Sequence, residues 1–275
     1  MRKGSKILAL VVAVGLMILS GQVFAAGEIS KGSPVLNRIV AKGQLVVGTA
    51  ASMPPLNMKT KDGQIIGMEM DLAQLFANGM GVKLTLKPML FNDLLPAVEK
   101  GEVDMVLSGV TMTPARNLRV AFVGPYLASG KSILTKKANV ESVDEISKMN
   151  SPDKVLVALK GSTSQMFVEM AIPKAKLVLA NDYDEALAMV RSDKAILMVA
   201  DYPFCAVSVY RYRDDKLATL KKPISYEPIG VALPPGDPLL TNWVQNFLSA
   251  MEKAGELDRL LERWFTDASW IDRLP

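Results

Sequence analysis

From residue 44 onward the chain alternates short aliphatic or β-branched runs with segments whose apolar side chains recur at helical spacing. Strands that short, each followed by a helix, bury both faces and belong to α/β units built on largely parallel sheets. The pattern predicts strands at Leu45 to Val47, Lys83 to Lys87, Asp104 to Leu107, Arg119 to Phe122, Ser132 to Lys136, Val155 to Leu159, Lys176 to Leu179, Ala195 to Val199 and Ile229 to Leu233. Helices are expected at Glu69 to Asn78, Asn92 to Glu99, Ser164 to Met170, Asp182 to Arg191 and Tyr202 to Tyr210. Two more, Pro238 to Ala254 and Glu256 to Trp264, close the chain. Trp243, Phe247, Leu248 and Met251 share one helical face and read as core.

A length of 275 residues suggests two compact units, and no repeat of solenoid length is visible. Boundary signals fall at Gly124-Pro125 through Gly130 and at Pro223 to Pro228, bracketing a middle segment. The expected division is residues 26–130 with 226–275 in one lobe and 131–225 in the other. A chain that leaves one lobe, builds a second and returns crosses twice, and the cleft between lobes is a favoured ligand site.

The first 25 residues stand apart. Met1 to Lys6 is basic, Ile7 to Leu19 is an apolar run of 13, and a small, polar stretch ends at Val23-Phe24-Ala25. That is the layout of a secretory signal peptide, cleaved before Ala26, and the run is shorter than the roughly 20 residues of a membrane span. No cysteine follows it to take a lipid, so a soluble protein of a Gram-negative periplasm is expected. The net charge of +4 is mostly this segment: removing Arg2, Lys3 and Lys6 leaves 29 basic against 28 acidic side chains. The basic-patch argument for a nucleic-acid partner goes with them.

There is no histidine and one cysteine, Cys205. Ser-His-Asp and Cys-His nucleophile systems, histidine-ligated metals, cysteine-rich zinc sites and disulfide frameworks are therefore excluded. Gly124 through Ser132 resembles a phosphate-binding loop, but five residues rather than four separate its glycines, and no dinucleotide-binding glycine triplet occurs. No cofactor is indicated.

Three segments could carry chemistry. In Asp104 through Arg116 a strand ends at Ser108, Gly109 and Thr111 follow, and Thr113-Pro114 is a helix cap with proline at the first helical position. Hydroxyls and open backbone N–H groups beside the Arg116 guanidinium can receive a carboxylate. An ordinary strand-to-helix turn with Arg116 paired to a surface acid fits that segment equally well. In Lys160-Gly161-Ser162-Thr163-Ser164 a strand passes into a helix N-terminus, a second anion-facing surface or simply a cap. Asp201 follows an apolar strand and could hold an ammonium group at the sheet's carboxyl edge, or merely cap the next helix. Cys205 reads as a small buried apolar residue.

As an ordered set these segments resemble the extracytoplasmic amino-acid-binding proteins of ABC importers, the bacterial extracellular solute-binding protein family 3. The resemblance is carried by Gly43 to Thr49, Pro54-Pro55, Gly67 to Leu72, Phe91 to Pro96, Gly101 through Arg116, Phe122 to Tyr126, Gly161-Ser162-Thr163 and Asp201, and spans nearly all of the mature chain. It implies a two-lobed periplasmic binding protein of type II, two mixed sheets flanked by helices and joined by two crossover connections. It also implies a monomer that delivers its solute to a membrane permease.

In that family the arginine matching Arg116 binds the ligand α-carboxylate, with Ser108, Gly109, Thr111, Ser162 and Thr163 around it. Asp201 matches the aspartate for the α-ammonium, and Phe91 an aromatic packed on the ligand side chain. Met53, Leu56 and Leu159 would complete a rather apolar pocket. Basic-amino-acid receptors of the family frequently carry an acid where Ala50 stands, which argues against lysine or arginine as ligand, whereas Lys160 could favour an acidic one. Cyclohexadienyl dehydratases resemble the same family and provide the alternative, an arogenate or prephenate lyase. Their proton-transfer glutamate corresponds here to Gln165, which cannot shuttle a proton, and Glu169 is expected on a solvated face.

Overall fold

A computed structural model describes residues 32–139 and 146–275; the signal-peptide assignment to residues 1–25 lies outside the described residues. In chain order the strands are β1 (Gln44–Thr49), β2 (Ser52–Met53), β3 (Asn57–Lys59), β4 (Ile65–Ile66), β5 (Lys83–Pro88), β6 (Met105–Val106), β7 (Ala121–Ser129), β8 (Lys131–Lys136), β9 (Val155–Leu159), β10 (Lys176–Ala180), β11 (Leu197–Asp201), β12 (Leu217–Thr219) and β13 (Glu227–Leu233). They form two five-stranded sheets, ordered β5-β1-β6-β13-β7 and β10-β9-β11-β8-β12, with β2-β3-β4 as a small antiparallel sheet.

Each large sheet is mixed in the same way. β1 runs parallel to β5 and β6, while β13 is antiparallel to β6 and β7. β9 runs parallel to β10 and β11, while β8 is antiparallel to β11 and β12. The chain passes from the first sheet to the second between Ser129 and Lys131 and returns between Thr219 and Glu227. The two lobes and two crossovers are thus those of a type II binding-protein fold.

Apolar strand runs explain why these elements hold. Leu45, Val47, Met105, Val231 and Leu233 are buried in the first lobe, and Leu156, Val157, Leu197, Met198 and Val199 in the second. Phe76, on the helix Met68–Met80, meets Trp243 and Phe247 of the helix Pro238–Lys253 edge-on, with ring centroids 6.1 and 5.4 Å apart. The return after β13 therefore seals the first lobe rather than the second.

Several boundaries differ from the sequence reading. A helix at Pro34–Lys42 was not anticipated, although Pro34 at its first turn and buried Val35, Leu36 and Ile39 on one face explain it. Gly124-Pro125 is not a connection between lobes but part of β7. That strand lies at the sheet edge, and the register with β13 shifts between Ile229 and Val231, so the proline, which has no N–H, sits in the irregularity. The actual crossover is Gly130 alone. A Cβ there would lie 2.1 Å from the Ser225 carbonyl oxygen, so only glycine lets the two crossovers pass this close. β11 begins and ends later than expected, making Asp201 its last residue, and β13 begins two residues earlier, which draws Glu227 into the sheet.

Candidate functional site

The first side of the cleft is built where β6 ends. Gly109 has φ +62°, and its N–H donates to Glu69 Oε1 at 2.6 Å. Glu69 is fully buried and also accepts from the Asn57 amide at 2.6 Å and from the Tyr126 hydroxyl. Burial pushes its carboxyl above the ordinary value, against the pull of those three donors. The Gly109 N–H is thus spent on Glu69 and is not an open donor. Ser108 accepts the Ala50 N–H at 2.8 Å, which leaves its own hydroxyl proton free to donate.

Thr113 caps the helix Pro114–Asn117 by accepting the Arg116 N–H at 3.2 Å, which aims the Arg116 side chain back along the loop. Its guanidinium donates to the Thr111 carbonyl at 2.9 Å and, across the cleft, to the Gly161 carbonyl at 3.0 Å. It also lies 5.8 Å from the Phe91 ring centroid, a cation–π approach. Burial lowers the Arg116 pKa from its ordinary value, while Asp201, then Glu227, pull it back up. Both acids therefore act on the same guanidinium.

In the second lobe Ser162 is the N-cap of the helix Thr163–Ala171: it accepts the Gln165 N–H at 3.1 Å and donates to the Leu159 carbonyl at 2.6 Å. Its hydroxyl proton is committed to the Leu159 carbonyl. Thr163 donates to Glu227 Oε2 at 3.1 Å, and its oxygen is 3.3 Å from the Thr111 hydroxyl. Since Thr163 has one proton, Thr111 is the donor in that pair. Gln165 is occupied in its own loop, accepting from Gly161 N–H and donating to Glu169, each at 2.8 Å. Glu169 is exposed.

Asp201 is the N-terminal flank of the helix Tyr202–Arg211 but makes no side-chain cap, so the capping alternative does not describe it. Its carboxylate instead receives Lys131 Nζ at 2.9 Å on one oxygen and the Tyr183 hydroxyl at 2.8 Å on the other. Lys131 Nζ also stands 3.7 Å from Glu227 Oε2, and Glu227 Oε1 accepts from Ser225 at 3.1 Å. The Lys131 side chain is 1% exposed, Asp201 5% and Glu227 10%. Burial, then the Asp201 charge, pushes the Tyr183 phenol well up, so it stays protonated and donates.

Met53 and Leu159 are buried at 2% and 1% and belong to one apolar cluster that also holds Leu56, while Phe91 is half-buried against it. Arg116, Thr111, Thr163, Glu227, Lys131 and Asp201 form one connected series that spans both lobes. Lys131, Glu227, Tyr183 and Glu69 escaped the sequence reading as site groups. Lys131 and Glu227 flank the crossovers, and their positions next to Gly130 and in the Pro223 to Pro228 stretch were the available signal.

The sequence profile of the bacterial extracellular solute-binding proteins, family 3, matches residues 45–267. The chain belongs to that family of solute-binding proteins. Among its relatives, the L-cystine-binding protein TcyJ of Escherichia coli is 27% identical over 84% of this chain and 86% of its own. The crystal structure of the ancestral amino-acid-binding protein AncCDT-1, a precursor of cyclohexadienyl dehydratase, is similar at 36% identity and TM-score 0.77, over 84% of this chain and all but 1% of that one, which is covered at 99%. A Wolinella succinogenes putative binding component of an ABC transporter, complexed with lysine, is similar at 35% identity and TM-score 0.79, over 84% and 99% of the two chains.

Proposed function

We propose that this chain captures one amino acid between its lobes, residues 26–130 with 226–275 and residues 131–225, and delivers it to the permease of an ABC importer. It acts as a monomer in the periplasm after removal of residues 1–25. Arg116 grips the α-carboxylate bidentately, helped by the Ser108, Thr111 and Thr163 hydroxyls, in place of the carbonyl contacts it makes to Thr111 and Gly161. The α-ammonium is held by Asp201 and Glu227 together. Phe91, Met53 and Leu159 line the side-chain end.

The observation that carries this reading is the charge balance across the cleft. Asp201 of the second lobe and Glu227 of the first share the single ammonium of Lys131, which leaves that cluster one negative charge in excess, balanced by Arg116. A zwitterion satisfies both ends at once, with Arg116 in the first lobe and Asp201 in the second, so it favours the closed form.

A thermal-shift screen of the mature protein against the twenty amino acids tests the reading. A ligand at about 100 times its Kd adds about 2.7 kcal/mol to the stability. Arg116→Ala should abolish that shift while leaving the ligand-free melting temperature within a degree or two, because Arg116 makes its contacts at the cleft. Binding retained in Arg116→Ala, no shift with any amino acid, or sustained turnover of prephenate or arogenate would each overturn it.

A further inference from the structure

We infer that Lys131 is a specificity residue: its ammonium is a built-in occupant of one of two cation seats at Asp201 and Glu227, which restricts the cleft to amino acids carrying a single ammonium. This rests on the reading of the cleft as an amino-acid site and adds which amino acids it accepts.

The argument is one of count and geometry. Lys131 is the first residue of β8, directly across the crossover from Glu227. Its Nζ lies within 2.9 Å of Asp201 and 3.7 Å of Glu227, with 1% of the side chain exposed. A lysine buried to this degree persists only when paired, and here it is paired to two acids. Arg116 and Lys131 together balance Asp201 and Glu227, so a zwitterion with an uncharged side chain enters an electrically neutral site and leaves it neutral. A second ammonium or a guanidinium on the ligand would find the acids already balanced by Lys131 and the α-ammonium, and would bring an unbalanced charge to the apolar end lined by Phe91, Met53 and Leu159. Nothing at Ala50 offers that charge another partner, since the side chain there is a methyl group.

Removing Lys131 reverses the arithmetic. The site then carries one excess negative charge, and a dibasic amino acid supplies the missing positive charge. Asp201→Asn added to that variant restores neutrality without restoring Lys131.

Isothermal titration of the mature protein with L-glutamine, L-alanine, L-leucine, L-lysine and L-ornithine tests this. Wild type should bind its best neutral ligand at least about tenfold tighter than either dibasic one. Lys131→Met should reverse that order, and Lys131→Met with Asp201→Asn should lose the gain for lysine and ornithine. Wild type binding lysine or ornithine as tightly as a neutral amino acid overturns the inference whether or not any variant folds. So does a folded Lys131→Met, judged by circular dichroism, that keeps the wild-type order. A wild type that binds no amino acid sinks the reading of the cleft itself, a distinct result.

Discussion

Glu69→Gln isolates the carboxyl on which the anion-facing loop hangs. Glu69 is 0% exposed and collects the Gly109 N–H, the Asn57 amide and the Tyr126 hydroxyl. Glutamine keeps the shape and one acceptor oxygen, but its NH2 faces the NH2 of Asn57. Asn57 cannot simply turn over, because its Oδ1 accepts from the Ser52 N–H at 3.2 Å. One lost bond with its donors left unsatisfied costs about 1–3 kcal/mol. At higher pH a second effect works the other way. Burial holds the folded-state pKa above the ordinary 4.5, so beyond that value the native protein keeps a proton that the unfolded chain has released. The stability this carboxyl contributes is complete below 4.5 and falls by about 1.4 kcal/mol per pH unit until the folded pKa is passed. Glutamine has nothing to titrate. The wild-type and Glu69→Gln stabilities should therefore converge as the pH rises, read by urea unfolding from about pH 4 to about pH 8 with tryptophan fluorescence. Two curves that stay parallel through that window would show that burial does not dominate at Glu69, and the account of the loop would fail with it.

Three further outcomes follow from the packing. Gly130→Ala would force a Cβ to 2.1 Å from the Ser225 carbonyl and 2.6 Å from Pro223, and should cost about 1–3 kcal/mol or more in urea unfolding; a cost well under about 1 kcal/mol would mean that the crossovers can separate. Asp237→Ala removes acceptors from Val35, Leu36 and Leu240, at 2.8, 3.1 and 2.9 Å, and thus caps at two helices; the expected loss is about 2–4 kcal/mol, with Asp237→Asn recovering part of it. Cys205 is fully buried and burial pushes its thiol up, so it should resist a disulfide reagent in the native protein and react fully in urea, whereas rapid native labelling would contradict that burial.

How much of this was legible beforehand depends on whether the signal is local. The strand Val155–Leu159 and the cap at Thr113 follow from neighbouring residues and occur where the sequence puts them, whereas the helix after Gly161 begins one residue earlier than expected, with Ser162 as its cap. The two-lobed class follows from the alternation of strands and helices together with two interruptions. Asp201 shows the limit. Its place at a strand end is local information, but Lys131 lies 70 residues earlier and reaches it only because β8 pairs antiparallel with β11, setting Lys131 opposite Asp201. Gly109 shows the same limit from the other side. Its N–H looks available in the sequence and is taken by Glu69, 40 residues away. No periodicity encodes which buried acid finds which donor.

The pairing of Lys131 with Glu227 is better understood from the crossovers than from the side chains. The Lys131 N–H donates to Ser225 Oγ at 2.9 Å, the Ile224 N–H donates to the Lys131 carbonyl at 2.8 Å, and Glu227 pairs in register with Ser129. Two backbones laced this closely hold the Lys131 and Glu227 main chains side by side, so only their rotamers remain to bring ammonium and carboxylate together. The desolvation of those charges is therefore met on folding, by secondary structure, and not on binding. Arg116 differs in kind, since its 3.0 Å contact to Gly161 joins a four-residue helix of one lobe to a loop of the other and depends on their closure. On the proposed reading a ligand meets a preset acid side and completes the Arg116 side as the lobes come together. Discrimination by charge then belongs to the rigid half, where a poorly matched ligand cannot be accommodated by adjustment, and closure belongs to the half that moves.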